Sequence, residues 1–252
     1  DGSLRIGALV TLAKVASSSA IRKTHPALAH ACAEAASPQV RNVATIGGNV
    51  LQRPRCWYYR LESYKCVKKG GDVCFAVNGE NRYNVIFGGG PAFPTHPSSA
   101  AVPLVAYGAS FVLEGPKGAR TISAGEFFVL PEKDPTRENV LEPGEVLTEV
   151  RVPSTKGWRS AYLEARERAA FDWPLVAAAV AVRAEGGVVR DARVVLGQVA
   201  TIPWRSAPAE GALVGKPLGA ASAEAAGKAA AEGAEPMSDN GYKVDLVTAL
   251  VR

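Results

Sequence analysis

Alternating hydrophobic and polar positions open the chain over residues 3–10 and predict a short strand. The next stretch, TLAKVASSSAIRKTHPALAHACAEAA, is typical of helices that break near Pro26, because proline is poorly tolerated inside a helix. The segment VRNVATIGGNVL predicts a strand, a glycine turn and a second strand.

The middle of the chain is irregular before a regular pattern returns. Residues 53–98 are rich in glycine, proline, arginine and aromatic residues, and within them NRYNVIFGGG predicts a strand between loops. The following segment, AAVPLVAYGASFVLEGPKGARTISAGEFF, predicts a helix and two strands that are joined by a Gly-Pro-Lys-Gly turn.

The rest of the chain predicts a second unit, which begins at Val152-Pro153. The segments WRSAYLEARER and WPLVAAAVAVRAEGGVVRDARVVLGQV predict three strands, or a mixture of strands and a helix, with a turn at residues 185–187. SAEAAGKAAAEGA predicts a helix from its propensity, and GYKVDLVTALVR is amphipathic. The pattern therefore predicts an α+β fold of two units, residues 1–152 and 153–252.

Composition places the chain among soluble globular proteins. Of its 252 residues, 47% are hydrophobic and 21% are charged, the apolar runs are too short to span a bilayer, and no secretory signal opens the sequence. The net charge is +5, and the basic residues concentrate locally around residues 52–71 rather than along a helix. We therefore expect no membrane or nucleic-acid partner, and a phosphate-bearing ligand or an acidic partner suits the basic patch better.

The loop ATIGGN, residues 44–49, is a candidate anion site. Gly47 and Gly48 lack Cβ atoms, so backbone amides there can approach a phosphate closely. Thr45 adds a hydroxyl, and Asn49 adds a side-chain donor and acceptor. A tight turn without a ligand is the alternative, since the loop is neither a dinucleotide fingerprint nor a P-loop.

Several motifs that occur together favour a ligand site over a tight turn without a ligand. Five segments follow one another along the chain: RNVATIGGNVLQR, THPSSAAVPLVAYGA, RERAAFDWPLVAAAVAV and the C-terminal TIPWRSAPAEGALVGKPL and NGYKVDLVTALVR. Together they resemble the FAD-binding subunit of the xanthine dehydrogenase and aldehyde oxidoreductase family of molybdenum hydroxylases. The resemblance implies an α+β FAD-binding domain over residues 1–152 and a small α+β domain over 153–252.

The resemblance also implies a role and a site. Such a subunit passes electrons from iron–sulfur clusters through FAD to an external acceptor, and it needs no catalytic acid or base of its own. The cofactor-binding residues that it implies are Thr45, Gly47, Gly48 and Asn49 at the FAD phosphates, Leu51 against the flavin ring, and Ser99 on the ribose or adenine side.

Ser99 and one further position depart from the family pattern. Ser99 stands where an aspartate is usual, and Glu164 stands where a lysine near the flavin is common. A carboxylate at that place would disfavour an anionic reduced flavin. The family also begins with a small subdomain that wraps the FAD pyrophosphate, and we expect this sequence to start after it, at Asp1.

Residues 52–94 resemble an insert that carries a [4Fe–4S] cluster in some members. Cys56, Cys66 and Cys74 match three of its four cysteines, and basic neighbours would favour their thiolate form. The fourth cysteine would fall within GGGPAFP, where this chain has none. A cluster completed by His96 or by Cys32, a zinc site and an empty site all stay open, although Cys32 is typical of a buried helix thiol and His96 of a loop histidine.

The resemblance further implies a molybdopterin-binding large subunit and a [2Fe–2S] small subunit as partners, in the cytoplasm or exported with a signal-bearing partner. A flavin-free structural subunit, or an iron–sulfur-binding one, is the alternative. Four further residues are expected to be structural: Arg166, Arg168 and Asp172 as surface charges, and Lys243 as a solvated lysine of the last helix.

Overall fold

The computed structural model describes residues 2–169 and 171–252, so Asp1 and Ala170 lie outside the described residues. Eight strands form two four-stranded antiparallel sheets. The strands are β1 (Leu4–Gly7), β2 (Ser110–Gly115), β3 (Gly118–Ser123), β4 (Val146–Val152), β5 (Trp158–Ala165), β6 (Val176–Glu185), β7 (Val188–Gly197) and β8 (Trp204–Arg205). The helices are α1 (Leu12–Ser17), α2 (Ser19–Thr24), α3 (Pro26–Glu34), α4 (Pro38–Val43), α5 (Ile46–Val50), α6 (Trp57–Arg60), α7 (Ala101–Ala106), α8 (Ala124–Phe127), α9 (Ala207–Leu213), α10 (Ala220–Ala230) and α11 (Tyr242–Val251).

The first sheet has the order β1-β4-β2-β3, and helices α1–α3, α5, α7 and α8 pack on it. Pro26 stands in the first turn of α3, where its missing amide costs no hydrogen bond, so the predicted break is confirmed. The predicted helix, strand, turn and strand after residue 100 are also observed, as α7, β2 and β3. Gly118 closes the β2–β3 turn with a φ of 103°, which glycine adopts without strain.

The glycine segment folds differently from the prediction of two strands around a turn. It forms the helices α4 and α5, which begin where Ser37 and Thr45 accept hydrogen bonds from the amides of Val40 and Gly48. These N-caps satisfy amides that a helix start otherwise leaves unpaired. Capping by Ser37 and Thr45, together with the bonds from the amides of Ile46 and Gly47 to Val10 and Ala8, therefore prevails over the strand preference of the sequence.

The insert, residues 52–94, contains α6 and one 3₁₀ turn at Val67–Lys69. The predicted strand NRYNVIFGGG is wrong, because only Phe87 forms a bridge, to Ala200, and Gly88 and Gly90 then turn the chain with positive φ angles. The amides of Ile86 and Phe87 both donate to the carbonyl of Val199. The insert is thus tied to the second unit.

The second sheet has the order β5-β6-β7-β8, which confirms the predicted strands. Both faces of β6 are buried. Val176 and Ala178 face helices α9–α11, whereas Ala177 and Ala179 face α3 and α7. Alternate residues of a strand point to opposite faces, so the small side chains on one face let two helices approach closely.

Helices α3 and α7 form the layer between the two sheets and contribute to the cores on both sides. At Gly197 of β7 an added Cβ would lie 2.6 Å from a methyl carbon of Val102, so this contact needs glycine. The two-unit α+β architecture fits the predicted fold class. The boundary at Val152-Pro153 stays a prediction. Among the described residues, no helix is both long and apolar enough to cross a bilayer.

Lys243 is buried, which contradicts its prediction as a solvated lysine. Its side chain is 1% exposed, and Nζ donates to the carbonyls of Tyr83 (3.1 Å), Asn84 (2.9 Å) and Gln198 (2.7 Å). Helix α11 is thereby fastened to the insert and to the end of β7. Burial lowers the pKa of Lys243 to about 7.

We expect Lys243→Met to lower the free energy of unfolding by roughly 2–4 kcal/mol, because the carbonyl of Gln198 loses its side-chain donor and those of Tyr83 and Asn84 each lose one of two. In an unfolded chain lysine titrates near pH ~10.4. The folded chain holds fewer protons between that pH and the folded pKa of about 7. Stability of the unsubstituted protein should therefore rise with pH across this window, and Lys243→Met should lack that rise.

Denaturant unfolding of both proteins at neutral and alkaline pH measures this difference. Lys228→Met is the matched control, since Lys228 is exposed and pairs only with Glu224 on the helix surface. It should change stability by less than about 0.5 kcal/mol. Equal losses in the two variants would contradict the assigned role of Lys243.

Candidate functional site

A cleft of about 740 Å³, which we call the Thr45 cleft, opens between the first unit and the segment that precedes β6. Four of the six predicted cofactor residues line it: Thr45, Gly48, Asn49 and Ser99. Gly47 and Leu51 do not. The structure therefore brings residues far apart in sequence to one concave surface, as expected for a ligand site.

The amides of the glycine segment are already engaged inside the protein. Those of Ile46 and Gly47 donate to the carbonyls of Val10 and Ala8, at 2.8 and 2.9 Å. The amide of Gly48 donates to Thr45 Oγ1 at 3.1 Å, and that of Asn49 to the carbonyl of Thr45 at 2.9 Å. Backbone donors at the glycines thus hold α5 in place, which differs from the predicted bare amide cradle.

The two glycines have different surroundings. Gly47 is buried, and an added Cβ would lie 2.9 Å from Cβ and 3.0 Å from the carbonyl oxygen of Ala8. Gly48 is exposed, and only Thr45 Oγ1, at 3.1 Å, would be near its added Cβ. Gly47 therefore permits close packing of α5 on the end of β1, whereas Gly48 keeps the floor of the cleft open.

Asn49 connects this floor to the start of α7. Its Oδ1 accepts hydrogen bonds from Ser98 Oγ (2.7 Å) and from the amide of Ala100 (3.3 Å), all in buried surroundings. Ser98 Oγ in turn accepts from the amide of Ala101 at 3.0 Å. These bonds fix the loop that carries Ser99 to the cleft wall.

A buried charge network lies behind that wall. On β5, Tyr162 and Glu164 share one face, and Arg166 follows in the same alternation. Tyr162 donates to Glu164 at 2.5 Å, and Arg166 donates to Glu164 and, at 2.5 Å, to Glu34, which lines the cleft. Burial raises the pKa of Tyr162 well above its usual range, and the charge of Glu164 adds to this shift.

The structure corrects the prediction for Arg166 and gives Asp172 a structural role. The side chain of Arg166 is only 9% exposed, so it is not a surface charge, because it compensates the buried carboxylate of Glu164. Asp172 instead accepts from the backbone amides of Arg168 (3.1 Å) and Trp173 (2.8 Å), which orders the outer wall of the cleft.

The outer wall carries exposed aromatic residues. Phe171 is 68% and Trp173 41% exposed, and both line the Thr45 cleft. The guanidinium of Arg55 lies 4.0 Å from the ring centroid of Trp173, which is cation–π geometry. The sequence interpretation missed Arg55, Glu34 and Phe171 as cleft residues, since nothing local connects these three positions.

The three cysteines of the insert do not form a ligand set. Cys66 is buried, and Cys56 and Cys74 are half-buried. Among the described residues, no group of three His, Cys, Asp or Glu side chains is placed to hold a metal ion. Burial raises the pKa of Cys56, with smaller contributions from Cys74 and Cys66, so the predicted thiolate preference is not observed there.

Neither candidate for a fourth ligand joins them. Cys32 is fully buried on α3 in the core of the first unit, and burial raises the pKa of its thiol to about 12. His96 lies in the loop before Pro97, as predicted, and is buried there against Phe128. Its Nδ1 accepts from the amide of Ser98 at 3.3 Å, so the proton of the neutral ring is on Nε2, and that atom has no free lone pair for a metal.

Comparison with protein families assigns both units. Residues 1–155 match a family model described as the FAD binding domain in molybdopterin dehydrogenase. Residues 160–252 match a second one, described as the CO dehydrogenase flavoprotein C-terminal domain.

Individual relatives agree with these matches. The aldehyde oxidoreductase FAD-binding subunit PaoB of Escherichia coli K12 is 34% identical over 97% of this chain and 75% of its own length. The carbon monoxide dehydrogenase medium chain of Hydrogenophaga pseudoflava is 31% identical over 97% of this chain and 69% of its own. A solved structure of carbon monoxide dehydrogenase from that organism aligns with all of this chain, and the alignment covers 73% of the solved chain. The TM-score is 0.73 and the sequence identity is 30%.

We expect Gly47→Ala to destabilise the protein by about 1–3 kcal/mol, because the new methyl group overlaps Ala8 and α5 must move. Gly48→Ala adds the same methyl group at an exposed position and should stay within about 1 kcal/mol of the parent. Denaturant unfolding of both variants gives the two values. Equal destabilisation would contradict the different roles of the two glycines.

Proposed function

This chain belongs to the FAD-binding medium subunits of the molybdenum hydroxylases, and from that premise we propose that its Thr45 cleft holds FAD. The subunit then passes electrons from iron–sulfur clusters through FAD to an external acceptor. The observation that carries the proposal is the convergence of Thr45, Gly48, Asn49 and Ser99 on one cleft of about 740 Å³. A turn without a ligand would not need residues from α5 and from the loop before α7 on one surface.

The cleft fits a flavin nucleotide in three respects. Its volume lies within the range of cofactor pockets. Gly48 leaves the floor free of a side chain, so a bulky ligand can approach the backbone. The exposed rings of Phe171 and Trp173 provide flat apolar surfaces beside it.

We assign roles to the chain's residues accordingly. Thr45 and Asn49 shape and present the phosphate side of the cleft, and Ser99 contacts the ribose or adenine side. Gly47 and Leu51 act from behind the surface, Gly47 through its packing on Ala8. Since backbone amides of α5 are engaged internally, side chains and the open surface at Gly48 carry the binding.

Bound FAD supplies reversible electron transfer, and the protein binds, orients and tunes it. No side chain is assigned as a catalytic acid or base. Arg166 compensates the carboxylate of Glu164, so the expected repulsion of an anionic reduced flavin is weakened.

The affinity of the full-length subunit for FAD tests whether the Thr45 cleft holds the cofactor. We expect Gly48→Leu to weaken FAD binding at least tenfold, about 1.4 kcal/mol, because the new side chain fills the cleft floor. Gly125→Leu is the matched control, since Gly125 lies on α8 away from the cleft with open space around it. Quenching of flavin fluorescence during titration measures both.

Unchanged affinity in Gly48→Leu, or an equal loss in Gly125→Leu, would place the cofactor elsewhere. A colourless purified protein that takes up no FAD would favour the flavin-free structural subunit.

The name of PaoB as an FAD-binding subunit, and of the carbon monoxide dehydrogenase relative as a medium chain, supports a multi-subunit enzyme. We propose a molybdopterin-binding large subunit and a [2Fe–2S] small subunit as partners. We also propose a cytoplasmic location unless a signal-bearing partner exports the complex. The unit boundary at residues 152–153 is proposed likewise. In the co-purified assembly, substrate should bleach the flavin, whereas the isolated subunit should not respond.

A [4Fe–4S] cluster on Cys56, Cys66 and Cys74 stays a prediction, and the described side chains do not complete it. The position expected for the fourth cysteine includes Ala92, which is 1% exposed, and His96 cannot ligate without losing its bond to Ser98.

Iron and acid-labile sulfide in the anaerobically purified subunit test this prediction. Because a four-thiolate set is lacking, we expect well under four irons per subunit. The triple change of Cys56, Cys66 and Cys74 to serine should leave flavin content unaltered. Four irons that disappear in this variant would establish the cluster and require a ligand from outside these three.

A further inference from the structure

A second cavity of about 420 Å³, which we call the Arg55 cavity, lies between the insert and the second unit. It shares the wall of Arg55 and residues 172–174 with the Thr45 cleft, but its other walls come from α6, the 83–84 and 94–95 segments, Gln198 and Lys243. None of the predicted FAD residues lines it. It is therefore a second cavity that adjoins the Thr45 cleft and has most of its lining residues to itself.

Two guanidinium groups give the Arg55 cavity its positive charge. Arg55 and Arg60 lie close enough for the charge of one to act on the other. In the part of the chain that the structure describes, neither forms a salt bridge. Arg60 is oriented by the carbonyls of Pro54 (2.8 Å) and Arg53 (3.3 Å), and Arg55 by Gln52 Oε1 (3.0 Å). Two like charges without a counter-ion favour an anion between them.

The other charged groups of this cavity do not neutralise that pair. Asp172 keeps its negative charge while it accepts from the backbone amides of Arg168 and Trp173, so it offsets at most one of the two guanidinium charges. Lys243 directs its protons to carbonyl groups and brings no negative charge to the lining. The balance of the lining is thus cationic.

Gln198 provides an independent sign of a ligand. It is 5% exposed and lines the Arg55 cavity, and its side-chain Nε2 is a buried donor with no hydrogen-bond partner in the structure. Its φ of 62° is a conformation that few non-glycine residues adopt. A buried amide donor left unpaired costs free energy, and since Nε2 is fully buried, a ligand acceptor satisfies it only after the Gln198 side chain turns toward the cavity.

Aromatic side chains complete the walls. Trp57 and Tyr83 lie with ring centroids 5.5 Å apart, and Trp173 lies under Arg55. A cavity of about 420 Å³ is larger than a single phosphate needs and is within the range of small-molecule sites. Flat apolar walls beside two guanidinium groups suit a planar ring that carries a carboxylate.

We propose that the Arg55 cavity binds a small aromatic carboxylate, with its anionic group at Arg55 and Arg60 and its ring against Trp57 and Tyr83. This site goes beyond the proposed function, because it needs no FAD and uses none of the FAD residues.

Salicylate is the probe, titrated by calorimetry into the full-length subunit with and without FAD. We expect one molecule per subunit in both states. Salicylamide, its neutral counterpart, should bind at least tenfold more weakly. Arg60→Gln should weaken salicylate binding at least tenfold and leave salicylamide unchanged, because only the charge-assisted contact is lost.

Lys65→Gln is the matched control, since it removes one charge from an exposed site of the same insert that does not line the cavity. It should bind salicylate like the parent. Salicylate binding that FAD abolishes would assign the cavity to the flavin site and overturn the proposal. So would equal affinity for salicylate and salicylamide, a comparison that needs no variant and holds even if Arg60→Gln fails to fold.

Discussion

The side-chain carbonyl of Asn49 is the contact on which the Thr45 cleft depends. It joins α5 to the loop before α7 through Ser98 and the amide of Ala100, both buried. Helix α7 lies in the layer between the two sheets, so its position is also set by β6 and β7. One amide side chain therefore transmits the packing of the second sheet to the floor of a cleft in the first unit. A hydrogen-bonded group of this kind fixes geometry more sharply than apolar contact, because an unpaired alternative is costly in the interior.

That middle layer is possible because of small residues. Alanines at 177 and 179 and the glycine at 197 let α3 and α7 lie close to the strands. A larger residue at either place would separate the sheets and change the distance between Asn49 and its partners. The small residues of the middle layer thus affect the geometry of the Thr45 cleft, although Ala177, Ala179 and Gly197 do not line it.

Much of this architecture could be predicted from local pattern. The strands β5 to β7, the hairpin of β2 and β3 and the break at Pro26 follow from alternation, turn residues and proline, all of which act within a few residues. Helix α5 could not, because its amides at Ile46 and Gly47 are satisfied by carbonyls of Val10 and Ala8, which the sequence does not place nearby. Tertiary bonds prevailed over the weak local preference of a Gly-Gly pair.

The candidate site divides in the same way. Recognisable motifs predicted four residues of the Thr45 cleft, which are Thr45, Gly48, Asn49 and Ser99. The carboxylate of Glu34 was missed, and Arg166 was misread as a surface charge. The pairing of Arg166 with Glu164 had a usable signal, since Arg166 directly follows β5 and continues the alternation that Tyr162 and Glu164 share. The environment of Lys243 had none, because its three acceptors come from residues 83, 84 and 198.

Buried charge in this fold is balanced by different means at different places. Lys68 and Glu138 pair directly at 2.7 Å, and Glu164 is balanced by Arg166, so in both cases each ion has a partner of opposite sign. Lys243 has only backbone dipoles, which stabilise an ammonium less than a carboxylate does, and its pKa falls. Arg55 and Arg60 have no carboxylate partner among the described residues, yet they are exposed and can remain charged. Charges that the chain leaves uncompensated at a cavity, rather than in its core, are the ones available to a ligand.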